Sequence, residues 1–149
     1  MLNSPKKIYS PIPVETERIG RLVLDAAYKV HTVLGPGLLE SVYQIAVKHV
    51  LETGGILAEK EVKLPILFEG VRLESALRID MLVDKCVIAE LKSVEKMNPV
   101  YEAQLLTYLR LSKVRLGFLI NFNVPHLKDG IKRIVVLSLN TKDSKSTKE

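Results

Sequence analysis

Arg78-Ile79-Asp80 and Glu90-Leu91-Lys92 are the two stretches of sequence that decide the fold. Each places charged side chains inside an apolar run, which covers residues 77–83 in the first case and residues 86–91 in the second. Short apolar runs bounded by turn residues predict buried β-strands. Carboxylates are rarely buried unless they are paired or bound to a metal, because desolvating an ion is costly. The two acids are therefore candidates for a divalent-cation site with a lysine beside it.

The elements on either side of these stretches predict an α/β domain. Apolar residues at helical spacing predict helices over residues 14–34, over residues 38–53 and from Asn98-Pro99 onward. Strands are predicted over residues 56–68, 71–73 and 77–83 (separate or continuous), 86–93, 116–121 and 131–139. The order α-α-β-β-β-α-β-β predicts a mixed β-sheet flanked by helices, with a right-handed helical crossover. Pro65 in the first strand indicates a sheet edge or a bulge.

Length and composition limit the classes of protein that fit. The 149 residues suffice for one domain, predicted over residues 14–140, with an extended arm over 1–13 and a polar tail over 141–149. With 22 Lys+Arg against 17 Asp+Glu, the net charge of +5 is compatible with a nucleic-acid partner. The single cysteine, Cys86, excludes an internal disulfide, and no Cys/His zinc pattern is present. With no predicted signal peptide and no membrane span, we expect a cytoplasmic protein.

The pair Asp80 and Glu90 would suit a hard divalent cation. Mg²⁺ and Mn²⁺ prefer carboxylate oxygens, and either ion can acidify a bound water and polarise a phosphoryl oxygen. Lys92 lies two residues after Glu90 and so shares its face of the strand. Its ammonium group could orient the attacking water or stabilise the transition state. A structural ion pair of either acid with Arg78 or Lys92 fits the spacing equally well.

The loop between the two strands provides a test of the metal-site hypothesis. A two-residue turn at Asp84-Lys85 would place Glu90 opposite Ile79, and the two acids would lie on opposite faces of the sheet. A metal site instead requires an odd loop, such as residues 84–86, or a bulge. That register places Asp80 opposite Glu90.

Two helices carry further polar candidates. Gln104 and Tyr108 are four residues apart on one face of the third helix, where they could contact a phosphate or a metal-bound water. Glu40 lies in the first turn of the second helix, where an acid is favoured by the helix dipole in any case. From the residues alone, structural roles are favoured for all three. The histidines follow no ligand spacing, so His31 and His49 are predicted on helix surfaces and His126 in a loop.

A family resemblance favours functional over structural roles for Glu40, Gln104 and Tyr108. Gly37-Leu38-Leu39-Glu40-Ser41-Val42-Tyr43 resembles the pattern that names the GxxExxY protein family. Residues 99–131, which contain Gln104 and Tyr108, are similar to the same family, and the resemblance covers roughly residues 15–137. That family is placed in the PD-(D/E)XK nuclease superfamily. The resemblance implies a restriction-endonuclease-like core and metal-dependent cleavage of nucleic acid.

The resemblance also implies a role for each candidate residue. The metal ligands would be Asp80, Glu90 and the main-chain carbonyl of Leu91. The residues that act on substrate or water would be Lys92, Glu40, Gln104 and Tyr108. The proline that names the superfamily is absent, because Ile79 precedes Asp80.

The implied cofactor is Mg²⁺ or Mn²⁺, and the implied substrate is nucleic acid, with DNA favoured over RNA. Two alternatives stay open at this point. One is a non-catalytic nucleic-acid-binding or assembly module that keeps the nuclease core. The other is a subunit whose substrate groove exists only in a homodimer or with a partner protein.

Overall fold

Residues 12–136 fold into five strands and three α-helices in the predicted order. A computed structural model describes residues 12–136, so most of the predicted arm and all of the predicted tail lie outside the described residues. The helices are α1 (Val14–Leu34), α2 (Glu40–Thr53) and α3 (Pro99–Ser112). The strands are β1 (Ala58–Phe68), β2 (Val71–Val83), β3 (Val87–Lys92), β4 (Leu116–Asn121) and β5 (Ile131–Val135), with a 3₁₀ turn at Leu127–Gly130.

The strands form one mixed sheet in the order β1-β2-β3-β4-β5. The pairs β1–β2, β2–β3 and β4–β5 are antiparallel, whereas β3 and β4 are parallel. A parallel pair needs a crossover, and α3 provides it. The predicted mixed sheet of a restriction-endonuclease-like α/β core is confirmed.

Both faces of the sheet are covered by helices. On one face, α1 and α2 bury a core that includes Val23, Tyr43 and Phe118. On the other face, α3 buries a second core that includes Leu105 and Leu119. The successive residues Phe118 and Leu119 contribute to opposite cores, as the period of two in a strand requires. This double cover explains why the central strands read as nearly continuous apolar runs.

The outer strands refine the sequence-based boundaries. Both interpretations of Pro65 are confirmed, since β1 is the edge strand and its register with β2 shifts between Leu64 and Ile66. The segments predicted over residues 71–73 and 77–83 are one continuous strand. Between residues 12 and 136, no helix combines the length and apolar character needed to cross a bilayer. The cytoplasmic location stays a prediction.

One histidine was placed wrongly by the sequence pattern. His31 is not on the helix surface but buried, and its Nε2 lies 2.8 Å from the carbonyl oxygen of Val124. The reason is tertiary, because the chain that follows β4 returns over this part of α1. His49 is exposed and His126 lies in an exposed loop, as predicted.

Candidate active site

The loop between β2 and β3 has the odd length that the metal-site hypothesis requires. The paired residues are Met81 with Ala89, Leu82 with Ile88 and Val83 with Val87, so the loop covers residues 84–86. Asp84 and Lys85 both adopt positive φ angles, of 49° and 60°, which allows the chain to reverse within the loop. The predicted register is confirmed, and the two-residue turn is excluded.

The two acids lie side by side where β2 and β3 diverge. Main-chain pairing between the two strands extends from the loop only as far as Met81 and Ala89. The next residue beyond that pair is Asp80 on β2 and Glu90 on β3. Beyond that point, the Asp80 N–H donates to Glu90 Oε1 at 3.1 Å, and the Leu91 N–H donates to Asp80 Oδ2 at 3.2 Å. Each carboxylate therefore accepts a main-chain N–H from the opposite strand. This arrangement brings both carboxyl groups into the gap between the strands.

The site concentrates negative charge, and one of its two carboxylates, that of Glu90, is withdrawn from water. Glu90 is only 4% exposed, and burial together with the neighbouring charge of Asp80 raises the pKa of Glu90 to about 8. The charge of Lys92 opposes that shift in part. Without a cation, two adjacent carboxylates cannot easily both ionise here.

Glu40 approaches the pair from α2. It is the first residue of that helix and lines, with Asp80, an open groove of about 360 Å³. Burial raises the pKa of the Glu40 carboxyl, and the charges of Lys92 and Asp80 also reach it. Within residues 12–136, however, no three Asp, Glu, His or Cys side chains converge closely enough to hold a metal by themselves. Glu40 thus shares the groove with Asp80 without joining the pair that Asp80 forms with Glu90.

Lys92 is held by an aromatic ring instead of by an acid. Its Nζ lies 4.5 Å from the centre of the Tyr101 ring, a cation–π contact with the first turn of α3. Arg78 pairs with Glu61 at 3.1 Å. In the described part of the chain, neither Asp80 nor Glu90 forms an ion pair, so the structural ion-pair alternative is contradicted.

The orientation of Leu91 is compatible with the ligand role that the resemblance implies. The N–H and C=O of one strand residue point to the same side, and successive residues alternate. The Leu91 N–H points towards Asp80 on β2, whereas the Lys92 carbonyl accepts from the Phe122 N–H just after β4. The Leu91 carbonyl therefore faces the gap that contains the two carboxylates.

These groups fit a small divalent cation. The gap brings together two carboxylates and one main-chain carbonyl, which are hard oxygen donors. Mg²⁺ is commonly held by one or two carboxylates and keeps several of its waters. The absence of a third acidic ligand is therefore no obstacle to Mg²⁺ or Mn²⁺.

Gln104 and Tyr108 share a face of α3, as predicted. The Gln104 amide Nε2 donates to the Tyr108 hydroxyl at 3.1 Å on the exposed side of the helix. No hydrogen bond among residues 12–136 joins either side chain to Asp80, Glu90 or Lys92. Their contact with substrate stays a prediction.

Sequence reasoning missed two residues that organise the site. Tyr101, in the first turn of α3, positions Lys92 through the cation–π contact. Asn121, which is buried at the end of β4, binds both main-chain groups of Val94 and the N–H of Asn123 through its side-chain amide, at 3.0 to 3.1 Å. It fastens the segment after Lys92 to the sheet. A lone polar residue at the end of a fully apolar strand was the available signal.

The Gly-x-x-Glu-x-x-Tyr spacing has a structural explanation. Tyr43 is fully buried and stacks on Phe122, with ring centres 4.3 Å apart. Its hydroxyl donates to the Gly35 carbonyl at 2.6 Å and accepts from the Leu38 N–H at 3.1 Å. The tyrosine therefore fixes the loop that precedes α2, and so fixes where Glu40 enters the groove.

We expect Tyr43→Phe to destabilise the protein by about 1–3 kcal/mol, because the loop loses both hydrogen bonds of the hydroxyl while the stacked ring remains. Chemical denaturation measures the effect. Tyr28→Phe, which changes an exposed tyrosine, is the matched control and should leave stability unchanged. Equal stability of the two variants would show that the Tyr43 hydroxyl does not fix the loop.

Comparison with known proteins agrees with this geometry. A family model described as the PD-(D/E)XK nuclease superfamily matches residues 17–134, a range that includes all of the candidate residues. No curated protein matches the chain. A solved structure titled "Crystal structure of SSO0001" is similar at 20% identity and a TM-score of 0.42, over 86% of this chain and 61% of that one, a likeness too slight to carry an argument. Because the family model covers most of the sequence, the chain belongs to the PD-(D/E)XK nuclease superfamily.

Proposed function

We propose that this protein is a divalent-metal-dependent nuclease that hydrolyses phosphodiester bonds, with DNA favoured over RNA as the substrate. The observation that carries the proposal is the pair Asp80 and Glu90, placed side by side between diverging strands. Among the described residues, neither carboxylate forms a salt bridge with a Lys or Arg side chain, although the charge of Lys92 reaches Glu90. Glu90 is buried and Asp80 is half-buried, and two adjacent carboxylates in such a place are costly unless a cation neutralises them. Superfamily membership supplies the reaction class.

In this proposal, Asp80, Glu90 and the Leu91 carbonyl hold Mg²⁺ or Mn²⁺. When bound, such an ion acidifies a water and neutralises charge that develops on the phosphate. The ionised carboxylates of Asp80 and Glu90 fix the position of the ion relative to the strands. Glu40, at the rim of the groove, orients a water or holds a second ion.

Lys92 acts on the water or on the phosphate. Its contact with the Tyr101 ring restrains the ammonium group without using its N–H groups on an acid. Those donors are therefore free to orient the attacking water or to bind a phosphate oxygen in the transition state. Gln104 and Tyr108 contact substrate from the exposed side of α3.

We also assign the chain to the GxxExxY group within the superfamily. The assignment is supported by the motif over residues 37–43 and by the different roles of Glu40 and Tyr43 within it. Tyr43 fixes the loop, and Glu40 faces the groove.

One experiment tests the function directly. Purified protein is incubated with single-stranded, duplex and branched DNA and RNA, in the presence of Mg²⁺, Mn²⁺ or EDTA. We expect cleavage with a metal and none with EDTA, and Asp80→Asn should be inactive. Failure to cut any of these substrates with either metal, together with salt-sensitive binding of them, would favour the non-catalytic binding module.

A further inference from the structure

The groove beside Asp80 contains a buried polar side chain to which the proposed function gives no role. Gln44 lies four residues after Glu40 on α2 and lines the groove together with Asp80. It is only 7% exposed. Among residues 12–136, no group forms a hydrogen bond with the Gln44 amide, and neither amide atom is fully enclosed by protein. Gln44 therefore presents an unused donor and an unused acceptor to the groove.

An unpartnered amide at this position is unfavourable for folding. Burying an amide without a hydrogen-bond partner costs free energy, and an apolar residue of similar size would avoid that cost. The other buried residues of α2 follow this rule, because Val47 and Leu51 are apolar and the Tyr43 hydroxyl has two partners. A buried polar group without a partner therefore points to a ligand that the structure does not contain.

The sheet contributes a second donor to the same groove. Arg78 lies two residues before Asp80 on β2, and it is the one basic residue among the described residues that line the groove. It pairs with Glu61 at 3.1 Å, but the two side chains are 59% and 49% exposed. Such an exposed ion pair contributes little to stability. Arg78 can therefore exchange Glu61 for another anion, and its planar guanidinium suits a phosphate.

An unusual backbone conformation places Glu61 beside Asp80. The register between β1 and β2 skips these two opposing residues, although the pairs on either side of them are regular. Glu61 has a φ of 53°, in the left-handed region that residues other than glycine rarely adopt. Costly conformations of this kind concentrate at functional sites. The pair of Glu61 and Arg78 is thus built into the groove.

We propose that Gln44 and Arg78 bind a backbone phosphate of the nucleic-acid strand, next to the phosphate that is cut. The inference rests on the proposed function, because a strand that is cut at Asp80 passes through the groove that Asp80 lines. A phosphate oxygen needs hydrogen-bond donors, and ionised acids such as Asp80 and Glu40 have none. The Gln44 amide on α2 and the Arg78 guanidinium on β2 supply these donors from two separate elements.

Binding of fluorescein-labelled single-stranded and duplex DNA, measured by fluorescence anisotropy in EDTA, tests the role of Arg78. Arg78→Gln should raise the dissociation constant about tenfold and lower the salt dependence by about one unit. Arg72→Gln is the matched control, because Arg72 lies on the same strand, pairs with Glu74 and does not line the groove. Glu61→Gln should tighten binding more than Glu74→Gln does, since only the first change releases Arg78.

Gln44→Met tests the amide, because methionine has a similar size and no strong hydrogen-bonding group. The variant should bind DNA about tenfold more weakly with an unchanged salt dependence, since no charge is lost. Its melting temperature should stay the same or rise, because the unpartnered amide is gone. A lower melting temperature with normal DNA binding would show that the amide serves folding.

Further outcomes separate this inference from the proposed function. If Arg78→Gln and Arg72→Gln bind DNA equally well, only general charge attracts the strand and the inference is wrong. If Gln44→Met binds DNA normally but its melting temperature responds less to Mg²⁺, the amide holds a metal-bound water instead. DNA binding that depends on both residues, without cleavage under any metal, would support the phosphate site and overturn the nuclease. A wild type that binds no DNA would overturn both.

Discussion

Lys92→Ala should lower the rate of phosphodiester cleavage by about 10²–10³-fold, because it removes a donor that acts on the attacking water or the transition state. The proposed metal ligands Asp80 and Glu90 stay in place, so metal binding should be retained. Binding of nucleic acid should weaken only slightly, with the salt dependence falling by about one unit at most. Single-turnover cleavage and salt-dependent binding titrations, performed on the same substrate, measure the two effects.

Lys96→Ala is the matched control for this experiment. Lys96 is an exposed lysine in the segment between β3 and α3, and its loss removes the same unit of charge. We expect Lys96→Ala to cleave nearly as fast as the wild type. Equal loss of cleavage in both variants would mean that Lys92 contributes only general positive charge. If neither the wild type nor Lys92→Ala cuts any substrate while both bind alike, the binding module replaces the enzyme.

Glu90→Gln should stabilise the metal-free protein, and the gain should grow with pH. Folding raises the pKa of Glu90 from 4.5 to about 8, so the folded state holds a proton that the unfolded chain releases over this range. The wild type therefore loses stability as pH rises from about 4.5 to about 8, whereas glutamine does not ionise. Melting temperatures in EDTA should differ by at least ~5 °C at pH 8 and by much less at pH 5.

The same variant should lose the response to metal. Mg²⁺ or Mn²⁺ should raise the melting temperature of the wild type by mass action, more strongly at higher pH because the ion displaces the Glu90 proton. Glu90→Gln and Asp80→Asn should show little or no such increase. If Asp80→Asn unfolds the metal-free protein, the acids serve folding. If the metal still stabilises both variants, the ion binds elsewhere.

Much of this fold follows from local patterns that can be read directly in the sequence. Apolar spacing and the Gly35-Pro36-Gly37 break predict α1 and α2. Asn98 caps α3 through its side chain, and Pro99 occupies the first turn, as the dipeptide indicates. Pro65 marks an edge strand for the simple reason that it has no N–H to donate. Each of these predictions depends on a residue's own backbone preferences.

Local sequence patterns identified only part of the candidate site. Acids inside apolar runs identify Asp80 and Glu90, because burial of an unpaired charge is so costly that it marks a function. The helical candidates Glu40, Gln104 and Tyr108 rested on resemblance, since dipole and surface roles explain them equally well. The contact between Lys92 and Tyr101 joins a strand to a helix and leaves no signature in spacing.

The sequence by itself determined the order of elements and the two apolar strands that carry Asp80 and Glu90, because these depend on neighbours along the chain. Only the tertiary structure decided the three-residue loop that places Asp80 beside Glu90, since turn chemistry at Asp84-Lys85 permits either register. It likewise decided that Phe68 and Val71, at the outer ends of β1 and β2, stay exposed. That depends on how far α3 reaches across the sheet, and the free energy of burial is set by contacts between segments distant in sequence.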